Sequence, residues 1–388
     1  MPVPPGGLGI RPRPAVSARA RPAQLPPQLQ RYVDTAQAAL AEPFTGLTTD
    51  GAAMPGLFSL APTGVSTRPL VDAATAFLDS LTPEQRARAM FPLESPAWRQ
   101  WSNIHPFLMR HGVCLDEMTP IQRGDALALL GATLSAAALD TARDVMRLNE
   151  LVRLITGSET EYGEWLYWVS VMGRPQAGEP WGWQIDGHHL IVNCFVLGDQ
   201  VVMTPLFMGS EPVSFPPEMG GRRVFGAEEG QGLALMRTLS PEQRRRAVLG
   251  DTLPVEVFTA AFRDNLQLRY EGIDHGGLTP GQQAMVRALL ELYVNRMRPG
   301  HAAARMEEVE RHLADTHFAW MGGVDEDAVF YYRLHNPVIL VEFDHQRGIA
   351  FDNDLPSRHH IHTVVRTPNG GDYGHDLLRQ HHARFAHR

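Results

Sequence analysis

The sequence predicts an α+β fold, with antiparallel sheets packed against helices. Three observations lead there. One helix-start signature occurs four times, strand-like stretches follow each pair of signatures, and pair plus strands occur twice in the same order. The signatures are Leu81-Thr82-Pro83-Glu84-Gln85, Met118-Thr119-Pro120-Ile121-Gln122, Leu239-Ser240-Pro241-Glu242-Gln243 and Leu278-Thr279-Pro280-Gly281-Gln282. Each sets a hydroxyl at N-cap, proline at N1 and glutamine at N3. The hydroxyl can accept from the N3 amide, proline gives up no needed N–H, and glutamine can reach back to the N-cap amide. The apolar residue before each cap is placed for a hydrophobic staple. Helical periodicity follows, as in Ala126, Leu127, Leu129, Leu130 and Leu134.

Taken in order, residues 1–30 are rich in Pro, Arg and Ala and lack the apolar run of a secretory signal. They are expected to be a disordered arm, and the protein cytoplasmic. Residues 31–215 form the first expected unit. Its strands are Leu166 to Val171, Trp181 to Asn193 and, beyond a hairpin turn at Gly198-Asp199, Val201 to Phe207. Residues 216–388 form the second, with strands at Val329 to Leu334, Val338 to Asp344 and His359 to Arg366. The two regions align when the strand opening with His188-His189 is matched to the one opening with His359-His360. The two units are expected to make one compact domain. If the match were chance, the α+β class would stand unchanged.

Composition limits function. The chain has 388 residues, 44% hydrophobic and 20% charged, with a net charge of −8. That is ordinary globular composition. Arginines sit beside glutamates and no basic face stands out, so neither a nucleic-acid nor a membrane partner is expected. Two cysteines, Cys114 and Cys194, form no CxxC. There is no GxGxxG, P-loop, GxSxG, HExxH or EF-hand loop.

Histidines carry the remaining signal. Nine of 17 lie from His335 onward, and His188-His189 form a pair. His360 and His362 share one face of a strand, as do Glu342 and Asp344 on the preceding one. On the earlier strand His189, Ile191 and Asn193 share a face. Pairing of these strands would make carboxylates and imidazoles neighbours. Two or three imidazoles with a carboxylate can hold Zn, Fe or Mn and leave a position open. A histidine on a strand is more often structural, and His–carboxylate pairs also act as bases without metal.

The motifs Pro180-Trp181-Gly182-Trp183, Gly187-His188-His189-Leu190 with Asn193, Thr204-Pro205, and Phe207 to Pro212 come in order along the chain. Tyr331-Tyr332-Arg333, Glu342-Phe343-Asp344, His360-Ile361-His362 and Asp372 to Leu378 continue them. In these motifs the chain resembles the domain-of-unknown-function 3500 family over roughly residues 75 to 382. The resemblance implies that the scattered motifs belong to one domain. Members often carry export signals, which this sequence does not show.

The expectation is therefore a metal-dependent enzyme acting on a small organic molecule, with hydrolysis favoured. The expected ligands to a divalent ion are His188 or His189, Glu342, His360 and His362. Asp344 is expected as a base or as an orienting partner of a ligand, with His189 and Arg366 as further catalytic candidates. Arg366, like Arg222-Arg223, can clamp a substrate carboxylate or serve in an ion pair. Tyr167, Trp168, Trp181 and Trp183 can wall an aromatic pocket or fill the core. A non-haem iron oxygenase of the 2-His-1-carboxylate type and a non-catalytic small-molecule-binding protein are the alternatives.

Overall fold

The four caps are all present in the structure. Each hydroxyl accepts from its N3 glutamine amide and each glutamine side chain accepts from the cap amide. The structure is a computed structural model and describes residues 3–12, 16–20, 23–104 and 108–385. The caps pair because their glutamines bond to one another. Gln122 donates to the Ser80 carbonyl and to Gln85 Oε1, and Gln282 donates to the Thr238 carbonyl and to Gln243 Oε1. The staple residues Leu81, Met118, Leu239 and Leu278 are buried.

In chain order the elements are α1 (Pro27–Ala41), α2 (Arg68–Ser80), α3 (Pro83–Ala89), β1 (Met90–Phe91), β2 (Val113–Cys114), α4 (Pro120–Thr133), α5 (Ala136–Thr156), β3 (Tyr167–Gly173), β4 (Trp181–Gly187), β5 (Leu190–Leu197), β6 (Gln200–Val202) and β7 (Leu206–Ser210). There follow α6 (Gly226–Thr238), α7 (Pro241–Ala247), β8 (Val248–Gly250), β9 (Ile273–Asp274), α8 (Pro280–Val294), α9 (Pro299–Arg311), β10 (His317–Gly322), β11 (Phe330–His335), β12 (Leu340–Gln346), β13 (Ser357–Arg366) and α10 (His375–Phe385).

The strands form one sheet, ordered β1-β3-β4-β5-β7-β13-β12-β11-β10-β8. It is mostly antiparallel, with β1 parallel to β3 and β8 parallel to β10. Apart from β6, the same order of elements occurs twice, from α2 to β7 and from α6 to β13. The registers correspond. Met90↔Val171 answers to Val248↔Trp320, Val113↔Val169 to Ile273↔Phe318, Ile185↔Val192 to Leu334↔Val341, and Val192↔Leu206 to Val341↔Val365. The halves join where β7 pairs with β13.

This register corrects the alignment read from sequence. His188-His189 fill the two-residue turn between β4 and β5. Their counterparts are Pro337-Val338, in the turn between β11 and β12, and not His359-His360 on β13. The shift arises because β7, not β5, is the partner of β13 in the repeat. The expected strand Val201 to Phe207 is also broken, into β6 and β7 on either side of the Met203-Thr204-Pro205 stretch.

Side-chain alternation splits the sheet into two unlike faces. Val169, Trp183, Val192, Met208, Phe343, Tyr332 and Trp320 point to α2, α4, α5, α6, α8 and α9 and form the main core. Rings stack along it. Tyr332 lies 5.1 Å from Phe343 at 1°, a pair worth about 0.5–1.5 kcal/mol beyond area burial. Trp181, Trp183 and Tyr167 belong to this core and not to a pocket wall. The opposite face carries Gln184, Asp186, Asn193, Arg333, Glu342, Asp344, His360, His362 and Arg366, all buried. It is covered by α1, α10 and the segments around Trp98–Trp101 and Val257–Phe262.

The expected disordered arm needs correcting for its described residues. Arg11 donates from its amide to the Ala350 carbonyl and from Nε to the Phe351 carbonyl, and pairs with Asp354 at 2.9 Å. Ala18 donates to the Thr160 carbonyl and is buried with Cys114, Leu166 and Trp168. Helix α1 starts at Pro27, inside the expected arm. Backbone pairing holds this segment, and composition does not report backbone pairing. No described helix is long and apolar enough to cross a membrane.

Candidate metal centre

The polar face of the sheet brings together three histidines from both halves. His360 and His362 project from β13, and His189 is the second residue of the β4–β5 turn. Their Nε2 atoms form a nearly equilateral triangle: 3.1 Å from His189 to His360, 3.0 Å from His360 to His362, and 3.1 Å from His362 to His189. The three residues are 5%, 2% and 4% exposed.

The local backbone is built for this convergence. His189 has φ +63°, a left-handed conformation uncommon for a residue with a side chain. It is fixed by its amide donating to the Asn103 carbonyl and its carbonyl accepting from the Gly209 amide at 2.8 Å. Gly209 lies opposite His362 in the ladder. A Cβ there would stand 2.8 Å from His362 Cδ2, 2.8 Å from the Ile361 carbonyl oxygen and 3.2 Å from His189 Cδ2. Only glycine lets both rings close over β7. Phe207 walls His362 with its ring at 5.0 Å.

Hydrogen bonds set the tautomers. His360 Nδ1 is 2.7 Å from the Arg347 carbonyl, and His362 Nδ1 is 2.7 Å from Glu256 Oε1. Both partners only accept, so each Nδ1 carries hydrogen and each Nε2 is turned into the triangle. Burial, then the neighbouring His362, pushes His360 down to about 3. It is therefore neutral near pH 7. Glu256 is fixed in turn by the Val257 amide and by Asn103 Nδ2. Burial acts to raise its carboxyl, but His362 outweighs this and holds it below the usual carboxylate range.

Asp344 sits opposite His362 on β12, fully buried. Gln346 Nε2 donates to Oδ2, while Oδ1 makes no hydrogen bond. Burial, reinforced by Glu256 and Glu342, raises its pKa well above the usual range. Single ligand atoms of Glu256, Asp344 and His362 lie within 4.8 Å of one another, as do those of the triad.

The remaining sequence candidates lie elsewhere. His188 faces the helices: its ring stacks on His189 at 3.9 Å, and Nδ1 donates to Asn149 Oδ1 at 2.8 Å. It supports the turn that carries His189 from behind. Glu342 is withdrawn from the triad, a correction to its expected role as a ligand. Its oxygens accept from the Phe258 and Thr259 amides, the Thr259 hydroxyl and the Tyr331 hydroxyl, so it anchors the 256–264 segment that carries Glu256. Arg366 is also corrected. It is fully buried, bound to Asp372, Asp264 and the Thr259 carbonyl, and cannot reach a substrate. Arg222 pairs with Asp144 and Arg223 with Glu229.

Sequence reading missed Glu256, Asn103 and Gly209. The first two lie in loops with no pattern around them. Gly209 carried a signal, since a glycine inside a strand marks close approach of another group.

The family described as "Protein of unknown function (DUF3500)" matches residues 63–375, most of the chain and all of the triad. No curated protein and no solved structure matches.

Proposed function

The chain belongs to the DUF3500 family, whose description assigns no activity, so its chemistry has to come from the site: we propose that the protein is a metal-dependent enzyme of hydrolytic type acting on a small organic molecule. The observation that carries this is the convergence of three imidazole nitrogens, two of them on rings whose Nδ1 is committed outward and whose Nε2 atoms stand 3.0 Å apart. Facing lone pairs repel. A proton on His362 would relieve one edge of the triangle, whereas a cation relieves all three. Nitrogens at this spacing would suit one small divalent ion, which His189, His360 and His362 would hold at the usual about 2.0–2.1 Å.

Held by three imidazoles, a divalent ion would keep its full charge, and the chemistry it would supply is polarisation of a carbonyl and acidification of water. The chain's own groups do the rest. Glu256 holds His362 in the tautomer that presents Nε2 and adds to its basicity. Asp344 keeps one oxygen uncommitted beside Glu256 and His362, placed to accept or return a proton. Glu342, the carboxylate expected for a 2-His-1-carboxylate oxygenase, has both oxygens engaged, so such a site would have to draw on Asp344.

Metal analysis of protein carrying no histidine tag tests the reading. About one divalent ion per chain is expected, lost in His360→Ala and His362→Ala, together with ester hydrolysis by the zinc- or manganese-loaded protein. Absence of stoichiometric ion after loading, or retention of it in both variants, would overturn the assignment.

A further inference from the structure

The buried polar face holds more carboxylate beside the triad than arginine answers. Glu256, Asp344 and Glu342 stand close enough to act on one another's charge. Among the described residues no arginine pairs with any of the three. Arg333, across the ladder from Glu342, is bound to Glu271 at 2.7 Å. Arg110 is bound to Asp186, Arg366 to Asp264 and Asp372, and Arg263 donates to the Phe258 carbonyl. Glu342 is met by uncharged donors only, two amides and two hydroxyls. Asp344 is met by less. Gln346 donates to its Oδ2, and its Oδ1, fully buried, makes no hydrogen bond.

A buried carboxylate oxygen without a partner is costly, and in a native structure it asks for one. A proton on Asp344 answers one charge. A divalent cation answers two carboxylates at once and gives Oδ1 its partner. The surroundings suit the cation. One ligand atom each from Glu256, Asp344 and His362 lies within 4.8 Å of the others. His362 faces both ways, with Nε2 in the triad and Nδ1 2.7 Å from Glu256 Oε1. Two carboxylates with one imidazole make a harder donor set than the triad, suited to manganese, whereas three imidazoles suit zinc. The Glu256 side chain is 26% exposed, so an ion has a way in from solvent on that side.

We infer that Glu256, Asp344 and Nδ1 of His362 hold a second, weaker divalent cation of the manganese class beside the ion of the triad, with His362 bridging the two. This deepens the metal reading of the triad and rests on it through that shared ligand. The Nδ1 proton of His362 leaves to solvent as the cation enters, and Asp344 is then a ligand instead of the proton acceptor of the singly loaded centre. The test loads the full chain with one equivalent of zinc, which imidazoles hold over manganese, and then titrates manganese chloride. Free manganese is read from its electron paramagnetic resonance signal. Uptake of about one manganese per chain is expected, with a dissociation constant below about 1 mM. Asp344→Asn and Glu256→Gln should each weaken that uptake at least about tenfold and keep the zinc. His360→Ala, which removes a ligand of the triad alone, should lose zinc and still take up manganese, and His362→Ala should lose both. No uptake by the zinc-loaded parent, or uptake unaltered in Asp344→Asn and Glu256→Gln, would overturn the second site and leave the triad standing. Zinc kept by His360→Ala, with manganese lost in both carboxylate variants, would overturn the triad reading and leave the second site standing.

Discussion

Replacing Gly209 by alanine tests the metal centre without touching any ligand. The new Cβ would lie 2.8 Å from His362 Cδ2 and from the Ile361 carbonyl oxygen, and 3.2 Å from His189 Cδ2. Carbon atoms sit comfortably at about 3.5 Å or more, so the His362 ring must yield by about 0.7 Å. The Ile361 carbonyl belongs to the β7–β13 ladder and cannot follow easily. Metal–ligand distances tolerate about 0.2 Å, so the displaced ring leaves the common point of the triad. Overpacking of this kind costs about 1–3 kcal/mol in stability. Zinc affinity should fall about 10- to 100-fold, or about 1.4–2.7 kcal/mol. Competition with a chromophoric chelator measures the affinity, and calorimetry in excess chelator separates the folding cost. A folded Gly209→Ala protein that binds zinc within twofold of the parent would refute the reasoning.

Four further outcomes are expected. Stripping metal should lower the melting temperature, because an ion at 1,000 times its dissociation constant adds about 4 kcal/mol; an unchanged melting curve in chelator would count against the ion. Arg366→Met should leave Asp372 buried without its cation and Asp264 with Arg99 alone and cost about 3–5 kcal/mol in chemical denaturation, whereas a substrate clamp would lower turnover and spare stability. Thr119→Ala and Ser240→Ala should each cost about 0.5–2 kcal/mol, measured the same way. His335 is pushed down to about 3 by burial, then by Arg333 and His317. Its folded form stays neutral while the unfolded chain takes up a proton below about pH 6.5, so stability is unaffected above that pH and falls by roughly 1.4 kcal/mol per pH unit below it; His335→Phe should flatten that part of the stability–pH curve.

What the sequence made legible was local. The caps at Thr82, Thr119, Ser240 and Thr279 depend on residues three apart, and all four are present. The alternation that put His360 with His362, and His189 with Ile191 and Asn193, depends only on strand geometry, and it located the polar face. Pairings between distant strands were not legible. Glu342 and Asp344 share a face in an ExD motif, yet the 258–259 amides draw the first away while the second stays beside His362. Nothing in the sequence around Glu256 announces that its segment folds over β13. His188 and His189 are chemically identical in sequence; a single positive φ sends one into the triad and leaves the other against Asn149.

The turn between β4 and β5 bears on how the two halves compare. In the repeat, His189 corresponds to Val338, and His362, opposite Asp344 on β12, corresponds to Val202, opposite Phe195 on β5. A symmetric pair of identical halves would carry two such triads or none. Among the described residues there is one, with His189 from the first half and His360 and His362 from the second. The triad is therefore a property of the two halves together, and neither half holds it alone. The mirrored end of the sheet keeps the framework without the nitrogens, an internal reference within the same molecule.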